Sequence, residues 1–258
     1  MSGAEMEQQH KDLRLDHVSV RFNGFLAVDD LTLTVKAGEL RCLIGPNGAG
    51  KTTTLDAICG KAKASMGEIR LGDALLNNLE EHEIARIGIG RKFQVPSIFR
   101  QLTVRENLLV AHSRQPGVIR NALRFRRSED SDGLDKLAEL VGLRDHLDRL
   151  AGHLSHGQTQ WLEMALLLAQ DPKLILMDEP TAGMTAQETR KTAELFNRLK
   201  GNRTLIVVEH DMAFVKEIAE VISVMHQGKL LAQGTVAEIE RDAAVKEAYL
   251  GSGGISDA

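Results

Sequence analysis

Apolar and polar side chains alternate along residues 13–22 and 31–35. A period of two predicts half-exposed β-strands, and the Asn23–Gly24 pair between these segments is a turn signal. A short apolar run at 40–44 then stops at a glycine-rich stretch, and the pattern becomes helical from Lys51 onward. This part of the chain therefore predicts an antiparallel β layer, followed by a strand, a loop and a helix.

The middle of the chain changes character, because leucines recur there at helical intervals among many charged residues. We expect a mostly helical lobe over 104–160, inserted in the core. Runs that are apolar on both faces return at 174–177 and 205–208, as parallel strands covered by helices require. The sequence thus predicts an α/β fold with a mostly parallel sheet and one domain over 13–250, between frayed tails at 1–12 and 251–258.

Composition narrows the class of protein without naming a function. The chain has 258 residues, 43% of them hydrophobic, and a net charge of −4, which argues against a protein that mainly neutralises nucleic-acid phosphates. Cys42 and Cys59 show no metal-ligand or CxxC spacing, so we expect two buried, reduced thiols. No apolar run approaches the roughly 18 to 20 residues that span a bilayer. The start of the chain also lacks the apolar centre of a secretory signal.

A phosphate-binding loop is the most specific motif in the sequence. Residues 45–52, GPNGAGKT, match GxxxxGK[ST] and lie between a predicted strand and a predicted helix, as this motif requires. Backbone amides of such a loop curl around phosphates, Lys51 reaches the β and γ phosphates, and the Thr52 hydroxyl can ligate Mg²⁺. The alternative is a glycine-rich turn without a ligand. The residues expected to bind ATP here are Gly45, Pro46, Asn47, Gly48, Ala49, Gly50, Lys51, Thr52 and Thr53.

Two carboxylates close the apolar run at 174–177. Asp178 stands where a strand end can hold Mg²⁺, and Glu179 stands where a general base can polarise a water that attacks the γ-phosphate. An isolated Asp-Glu pair at a strand end is more often a helix cap or a turn. Downstream of a phosphate loop, the catalytic interpretation becomes the better one.

Further motifs bring a family resemblance. Residues 154–158, LSHGQ, resemble the LSGGQ signature of ABC ATPases and precede the acidic strand end. Gln94 in the KFQ sequence resembles the Q-loop, and His210 resembles the switch histidine. The chain is therefore similar to ABC-type P-loop ATPases from about Leu13 to Leu250. The resemblance implies an ATP hydrolase that uses ATP and Mg²⁺.

The resemblance also assigns roles. It implies a head-to-tail dimer in which Ser155, Gly157 and Gln158 face the nucleotide held by the other subunit. Gln94 would ligate Mg²⁺ and water and act in catalysis, and His210 would sense the γ-phosphate, although a lone histidine is ordinarily structural. Phe22 resembles the aromatic residue that stacks on adenine; Phe25 is the alternative, and both could instead be core residues.

Two departures from the family pattern point to a subgroup. His156 replaces a glycine of the signature, and residues 182–185, AGMT, replace an SALD-like segment, so that Thr185 stands in place of an acid. Either change could weaken communication between the two ATP sites. The residues in these motifs resemble those of an ATPase subunit of bacterial urea importers, which are relatives of branched-chain amino-acid importers. Urea is therefore the expected solute, and branched-chain amino acids are the alternative.

The resemblance implies the partners and the location of the chain. We expect transmembrane permease subunits, a second ATPase subunit that is the same or related, and, indirectly, a periplasmic solute-binding protein. The chain would lie in the cytoplasm, on the inner face of the bacterial membrane. Two rivals are a non-transport ABC ATPase working on ribosomes or DNA and a regulatory module that holds ATP without turnover. The first rival usually carries fused cassettes or long heptads, which this sequence lacks.

Overall fold

The antiparallel layer near the N-terminus is present, with the predicted turn at its centre. The computed structural model describes residues 12–92, 98–112 and 130–250. Strands β1 (Leu13–Phe22) and β2 (Phe25–Val35) pair across Asn23 and Gly24, and β4 (Met66–Leu71) and β5 (Ala74–Leu75) extend the sheet in the order β2-β1-β4-β5. The alternation in β1 is interrupted by irregular register near His17, whose φ of 50° is positive.

A second sheet contains the predicted parallel strands. Its order is β10-β9-β3-β8-β7-β6. Strand β3 pairs in parallel with β8 and β9, β7 pairs in parallel with β8, and β10 returns antiparallel to β9. The strands of this sheet are β3 (Leu40–Ile44), β6 (Ile89–Arg91), β7 (Leu174–Asp178), β8 (Thr204–Val208), β9 (Val221–His226) and β10 (Lys229–Gly234).

Packing divides the chain into two units. The first comprises residues 1–89, 173–179 and 199–258, and the second comprises 90–172 and 180–198. The predicted helical lobe at 104–160 falls within the second unit, and its boundaries stay a prediction. Apart from Asp12, the two predicted tails lie outside the described residues.

Helices of the first unit follow its strands. Helix α1 begins at Lys51, directly after the glycine-rich loop, as the change of period predicts. Described helices of this unit are α1 (Lys51–Ile58), α2 (Glu81–Ile87), α7 (Met212–Ile218), α8 (Val236–Arg241) and α9 (Ala243–Leu250). Both faces of the parallel strands are buried, since every residue of β3 and β8 is buried. Cys42 and Cys59 are buried free thiols, as expected.

The second unit is helical in its described part. Its core includes the apolar face of the helix that follows the signature, where Trp161, Leu162 and Met164 are at most 6% exposed. The indole Nε1 of Trp161 donates to the Thr192 hydroxyl at 3.0 Å, which satisfies its only polar atom. Described helices are α3 (Val104–His112), α4 (Asp130–Leu140), α5 (His156–Leu168) and α6 (Ala186–Leu199). No helix within the described residues is both long and apolar enough to cross a membrane.

Candidate functional site

The phosphate loop lies between the end of β3 and the start of α1, as the motif predicts. Gly45, Gly48 and Gly50 have φ values of 148°, 78° and 98°, a region that side chains with a Cβ rarely adopt. These three glycines therefore let the loop make turns that other residues would form only with strain. The opening of α1 adds the positive end of a helix dipole, which favours anions.

Packing against the loop explains two of these glycines. A Cβ on Gly45 would lie 2.1 Å from the Met225 carbonyl oxygen, and one on Gly50 would lie 2.5 Å from that of Ala27. By contrast, a Cβ on Gly48 would meet nothing within 4 Å. The Gly228 amide also donates to the Ala49 carbonyl at 3.1 Å. The loop is thus held in place by β2 and by the turn between β9 and β10.

Lys51 is folded back onto this loop. Its Nζ donates to the carbonyl of Gly45 at 2.7 Å and to that of Pro46 at 3.0 Å, and the residue is 7% exposed. Burial lowers the pKa of Lys51, whereas the charges of Asp178 and Glu179 oppose this shift. Lys51 and the two carboxylates therefore lie in one electrostatic neighbourhood, although they are far apart in sequence.

The sheet register brings these elements to one edge. Leu43 of β3 is paired with Val208 of β8, and Val208 is paired with Asp178 of β7. Because the three strands are parallel, the residues that follow them emerge at the same side of the sheet. The phosphate loop, Glu179 and His210 consequently share the carboxyl edge of the first unit.

Glu179 has an unusual backbone conformation. Its φ of 48° is left-handed, and its amide donates to the Val208 carbonyl at 2.9 Å, which continues the pairing of β7 with β8. Non-glycine residues are strained in this region, and such strain tends to cluster at functional positions. The side chain is 45% exposed, and its Oε1 lies 3.3 Å from Nε2 of His210.

The backbone of His210 is bonded to the side chain of the residue before it. The His210 amide donates to Oε2 of Glu209 at 3.2 Å, and Glu209 is 2% exposed. The histidine ring itself is 56% exposed and reaches Glu179. The structure therefore brings together two of the predicted catalytic residues.

The oxygen donors here fit a magnesium ion. Mg²⁺ in nucleotide sites is bound by one or two protein oxygens together with phosphates and waters, not by a complete cage of side chains. Within the described ranges, no group of three or more His, Cys, Asp or Glu could hold a metal. The exposed Thr52 and the partly buried Asp178 supply the hydroxyl and carboxylate of the smaller donor set.

Both candidates for adenine stacking lie at the surface. Phe22 and Phe25 are paired across the turn between β1 and β2, and they are 48% and 68% exposed. The possibility that both are core residues is therefore wrong. Their role toward adenine stays a prediction.

The signature segment, residues 154–158, belongs to the second unit. Ser155 is the N-cap of α5: its hydroxyl accepts from the Gln158 amide at 3.2 Å, and the Gln158 side chain accepts from the Ser155 amide at 3.0 Å. Gln158 thus has a capping role that the sequence interpretation did not include. His156, one of the departures, lies 3.1 Å through Nε2 from the carbonyl of Ala182 in the other departure.

A buried polar cluster follows along α5. Lys92 Nζ donates to the Gln160 side chain and lies 3.7 Å from Oε2 of Glu163. Lys92 and Glu163 have side chains 7% and 8% exposed. Burial raises the pKa of Glu163, and the charge of Lys92 opposes that shift. Gln94, the predicted Q-loop residue, lies outside the described residues.

Comparison with known proteins now decides the family. The "ABC transporter" family model matches residues 28–182, which include the loop, the signature and the acid pair. The chain is an ABC transporter family member. It has the ABC ATPase cassette fold and is an ATP hydrolase of that family. A second model, "Branched-chain amino acid ATP-binding cassette transporter", matches residues 229–255.

Relatives of this ABC ATPase cover almost its whole length. The "High-affinity branched-chain amino acid transport ATP-binding protein LivG" of Escherichia coli (strain K12) is 40% identical over 249 residues, which are 93% of this chain and 97% of that protein. A solved ATP-binding cassette of an ABC transporter in its ADP conformation matches with a TM-score of 0.81 at 30% identity, covering 93% of this chain and 99% of that one. The dimer of another cassette in a post-hydrolysis state bound to ADP and Pi matches at 0.69 and 27% identity, covering 87% and 98%.

These relatives do not support urea as the solute. The relatives are named for the transport of branched-chain amino acids, which favours the alternative solute given in the sequence analysis. Urea therefore remains a prediction based on motif wording alone.

Several residues that shape the ABC site escaped the sequence interpretation. Met225 and Gly228 contact the phosphate loop, and Glu188 contacts the signature segment. Only the Gln227–Gly228 turn gave a local signal, because glycine after a polar residue between two strand-like runs favours a hairpin. The contacts of Met225 and Glu188 join residues that are distant in sequence, so no local sequence pattern predicts them.

Proposed function

We propose that this chain is the ATP-hydrolysing subunit of an importer for branched-chain amino acids, docked from the cytoplasm onto permease subunits in the bacterial membrane. The observation that carries the ATPase part is the shared edge of the parallel sheet, where Lys51 lies within the electrostatic reach of Asp178 and Glu179. The relatives support the transport part, since proteins similar over nearly their whole length are named for it.

ATP binding is assigned to residues 45–53. Loop amides would surround the β and γ phosphates, and the Lys51 ammonium would exchange its contacts with the Gly45 and Pro46 carbonyls for phosphate oxygens. This exchange is favourable because a phosphate carries more negative charge than a carbonyl. Thr52 and Asp178 would hold Mg²⁺, with Gln94 as a further ligand. The ion, when bound, neutralises charge on the phosphates and orients them.

Hydrolysis is assigned to Glu179 and His210. The Glu179 carboxylate would accept a proton from a water in line with the γ-phosphate, so that a stronger nucleophile attacks phosphorus. His210, 3.3 Å from that carboxylate, would orient it and hydrogen-bond the γ-phosphate as the bond to the leaving group breaks.

Transport requires a second ATPase subunit. In the proposed head-to-tail dimer, Ser155, Gly157 and Gln158 of one subunit face the nucleotide of the other, since a helix start favours anions. The relative that is dimeric with ADP and Pi bound supports the formation of a dimer. Closure on ATP and opening after hydrolysis would drive the permease subunits between their two orientations.

The chain supplies energy and selects no solute, because solute recognition belongs to the permease and the solute-binding protein. Urea is kept as a second candidate on one observation, the combined wording LSHGQ and AGMT in residues 154–158 and 182–185. Both candidates predict the same ATPase chemistry. They differ only in the cargo of the assembled transporter.

Uptake measurements separate these candidates. Cells lacking the chromosomal copy would be given wild-type protein or Lys51→Ala, and uptake of labelled leucine and labelled urea would be followed. We expect leucine uptake to depend on the wild-type protein and to stay at background with Lys51→Ala. Restoration of urea uptake alone would replace the branched-chain proposal with its alternative. Purified wild-type protein that releases no phosphate from ATP would contradict the ATPase assignment itself.

A further inference from the structure

Glu188 occupies the first turn of α6 and caps it in an ordinary way. Its carboxylate accepts from the Thr185 amide at 2.9 Å and from the Thr185 hydroxyl at 3.0 Å, and the Thr185 hydroxyl accepts from the Glu188 amide at 3.3 Å. This reciprocal pattern is a capping box. By itself it implies only a stable helix start.

The same carboxylate also contacts the signature segment. The Ser155 hydroxyl lies near enough to stabilise the charge of this carboxylate. A Cβ placed on Gly157 would lie 2.2 Å from Glu188 Oε1 and 2.9 Å from Oε2, so both oxygens lie against the α-carbon of this glycine. Ser155 and Gly157 are among the residues proposed above to face the nucleotide of the other subunit.

These contacts set up a competition. A serine hydroxyl has one hydrogen to donate, so Ser155 cannot donate to Glu188 and to a phosphate at once. Bonds from Thr185, first its amide and then its hydroxyl, hold the pKa of Glu188 below its ordinary value of 4.5, and the nearby Ser155 hydroxyl lowers it further. The carboxylate is therefore charged at neutral pH, and it lies beside the start of α5, where the helix dipole favours an anion.

We propose that Glu188 is an electrostatic competitor of the γ-phosphate at the signature segment, lying against Gly157 and beside the Ser155 hydroxyl until the partner's nucleotide displaces it. This inference rests on the proposed function, because it assumes the head-to-tail dimer. Its consequence is that Glu188 weakens the apparent affinity of the closed dimer for ATP. Removing the charge should then improve ATP binding, the reverse of what loss of a supporting contact would do.

The test compares two substitutions with a matched control. Glu188→Gln keeps the shape and the ability to complete a capping box, while Glu188→Ala removes both charge and cap. The control is Glu238→Gln, since Glu238 forms the same capping box with Thr235 at the start of α8 in the first unit. The KM for ATP, kcat and the melting temperature of the full chain are measured at about 0.05 and 0.5 M salt, where screening lengths differ severalfold.

We expect both Glu188 variants to lower the KM for ATP by about threefold to tenfold at low salt. This range is the effect of one unit charge on another about 6 Å away, at effective dielectric constants of about 80 to 40. The gain should shrink at high salt, and Glu238→Gln should leave the KM unchanged. A KM within twofold of wild type, or a raised KM in Glu188→Ala, would overturn the proposal while the ATPase assignment stands. Absence of phosphate release by the wild-type protein would instead remove the proposed function, and this inference with it.

Discussion

Nε2 of His210 lies 3.3 Å from Oε1 of Glu179, although the two residues follow different strands and are separated in sequence by α6 and β8. Pairing of β7 with β8 produces this proximity, because the Glu179 amide continues the ladder by donating to the Val208 carbonyl. The proximity of this proposed catalytic pair is thus a product of sheet register. Its separation should be insensitive to changes on the helices that cover the sheet.

Replacing Glu179 by glutamine should abolish turnover while preserving nucleotide binding. The amide keeps the size of the side chain but cannot accept the proton of the attacking water. We expect kcat to fall by at least about 10²-fold, the lower end of the range for loss of a general base. Phosphate release and equilibrium binding of a labelled ATP would both be measured. Glu81→Gln, an exposed carboxylate in the first turn of α2, is the control. Near-normal turnover in Glu179→Gln would remove this residue from the role.

His210 and Glu179 should behave as one unit. We expect His210→Ala to lower kcat by about 10-fold or more with little change in the KM for ATP, since a group acting mainly in the transition state alters kcat. The double variant His210→Ala/Glu179→Gln should be no slower than Glu179→Gln alone, because residues that act together are non-additive. A full multiplicative loss in the double variant would argue that the two residues act independently.

Gly45 and Gly48 offer a comparison of backbone strain with steric overlap. Both have positive φ, so alanine at either costs about 1 to 2 kcal/mol from the left-handed backbone. Only at Gly45 does the new Cβ also overlap the Met225 carbonyl, at 2.1 Å. We therefore expect Gly45→Ala to lower both the melting temperature and ATP binding clearly more than Gly48→Ala. Equal effects of the two substitutions would show that overlap with Met225 is relieved without cost.

Lys92→Met should make stability more dependent on pH. Burial raises the folded-state pKa of Glu163 above its unfolded value near 4.5, and Lys92 limits that rise. A raised folded pKa means that the contribution is fully present below 4.5 and is lost as pH increases through the folded pKa. Without Lys92 the pKa rises further, so the variant should lose stability relative to wild type as pH increases above the wild-type folded pKa of Glu163, by about 3 kcal/mol once Glu163 ionises.

Thermal unfolding from pH 4 to 8 measures this effect. The double variant Lys92→Met/Glu163→Gln is the control, because it removes the titrating carboxyl and should leave a difference from wild type that no longer grows with pH. A pH-independent loss in Lys92→Met alone would show that Lys92 contributes packing and not charge.

Local pattern was enough for much of the architecture. The strands at β1, β3, β7 and β8, the helix at Lys51 and the order of strand, loop and helix all follow from apolar spacing and glycine positions. The capping of α5 by Ser155 and Gln158 also follows a local pattern, although the sequence interpretation did not include it. The surface exposure of Phe22 and Phe25 could not be predicted in this way, since the local sequence does not show whether an aromatic residue at a strand end is buried.

By itself, the sequence determined the class of chemistry, because a phosphate loop, an acidic strand end and a signature segment each require particular residues at fixed local spacing. Tertiary structure alone decided which residues contact these motifs. Met225 packs against Gly45, the Val208 carbonyl accepts from the Glu179 amide, and Glu188 packs against Gly157. The physical reason is that such contacts depend on strand register and helix packing between distant segments. A backbone carbonyl or a capping carboxylate can make them with almost any local sequence around it.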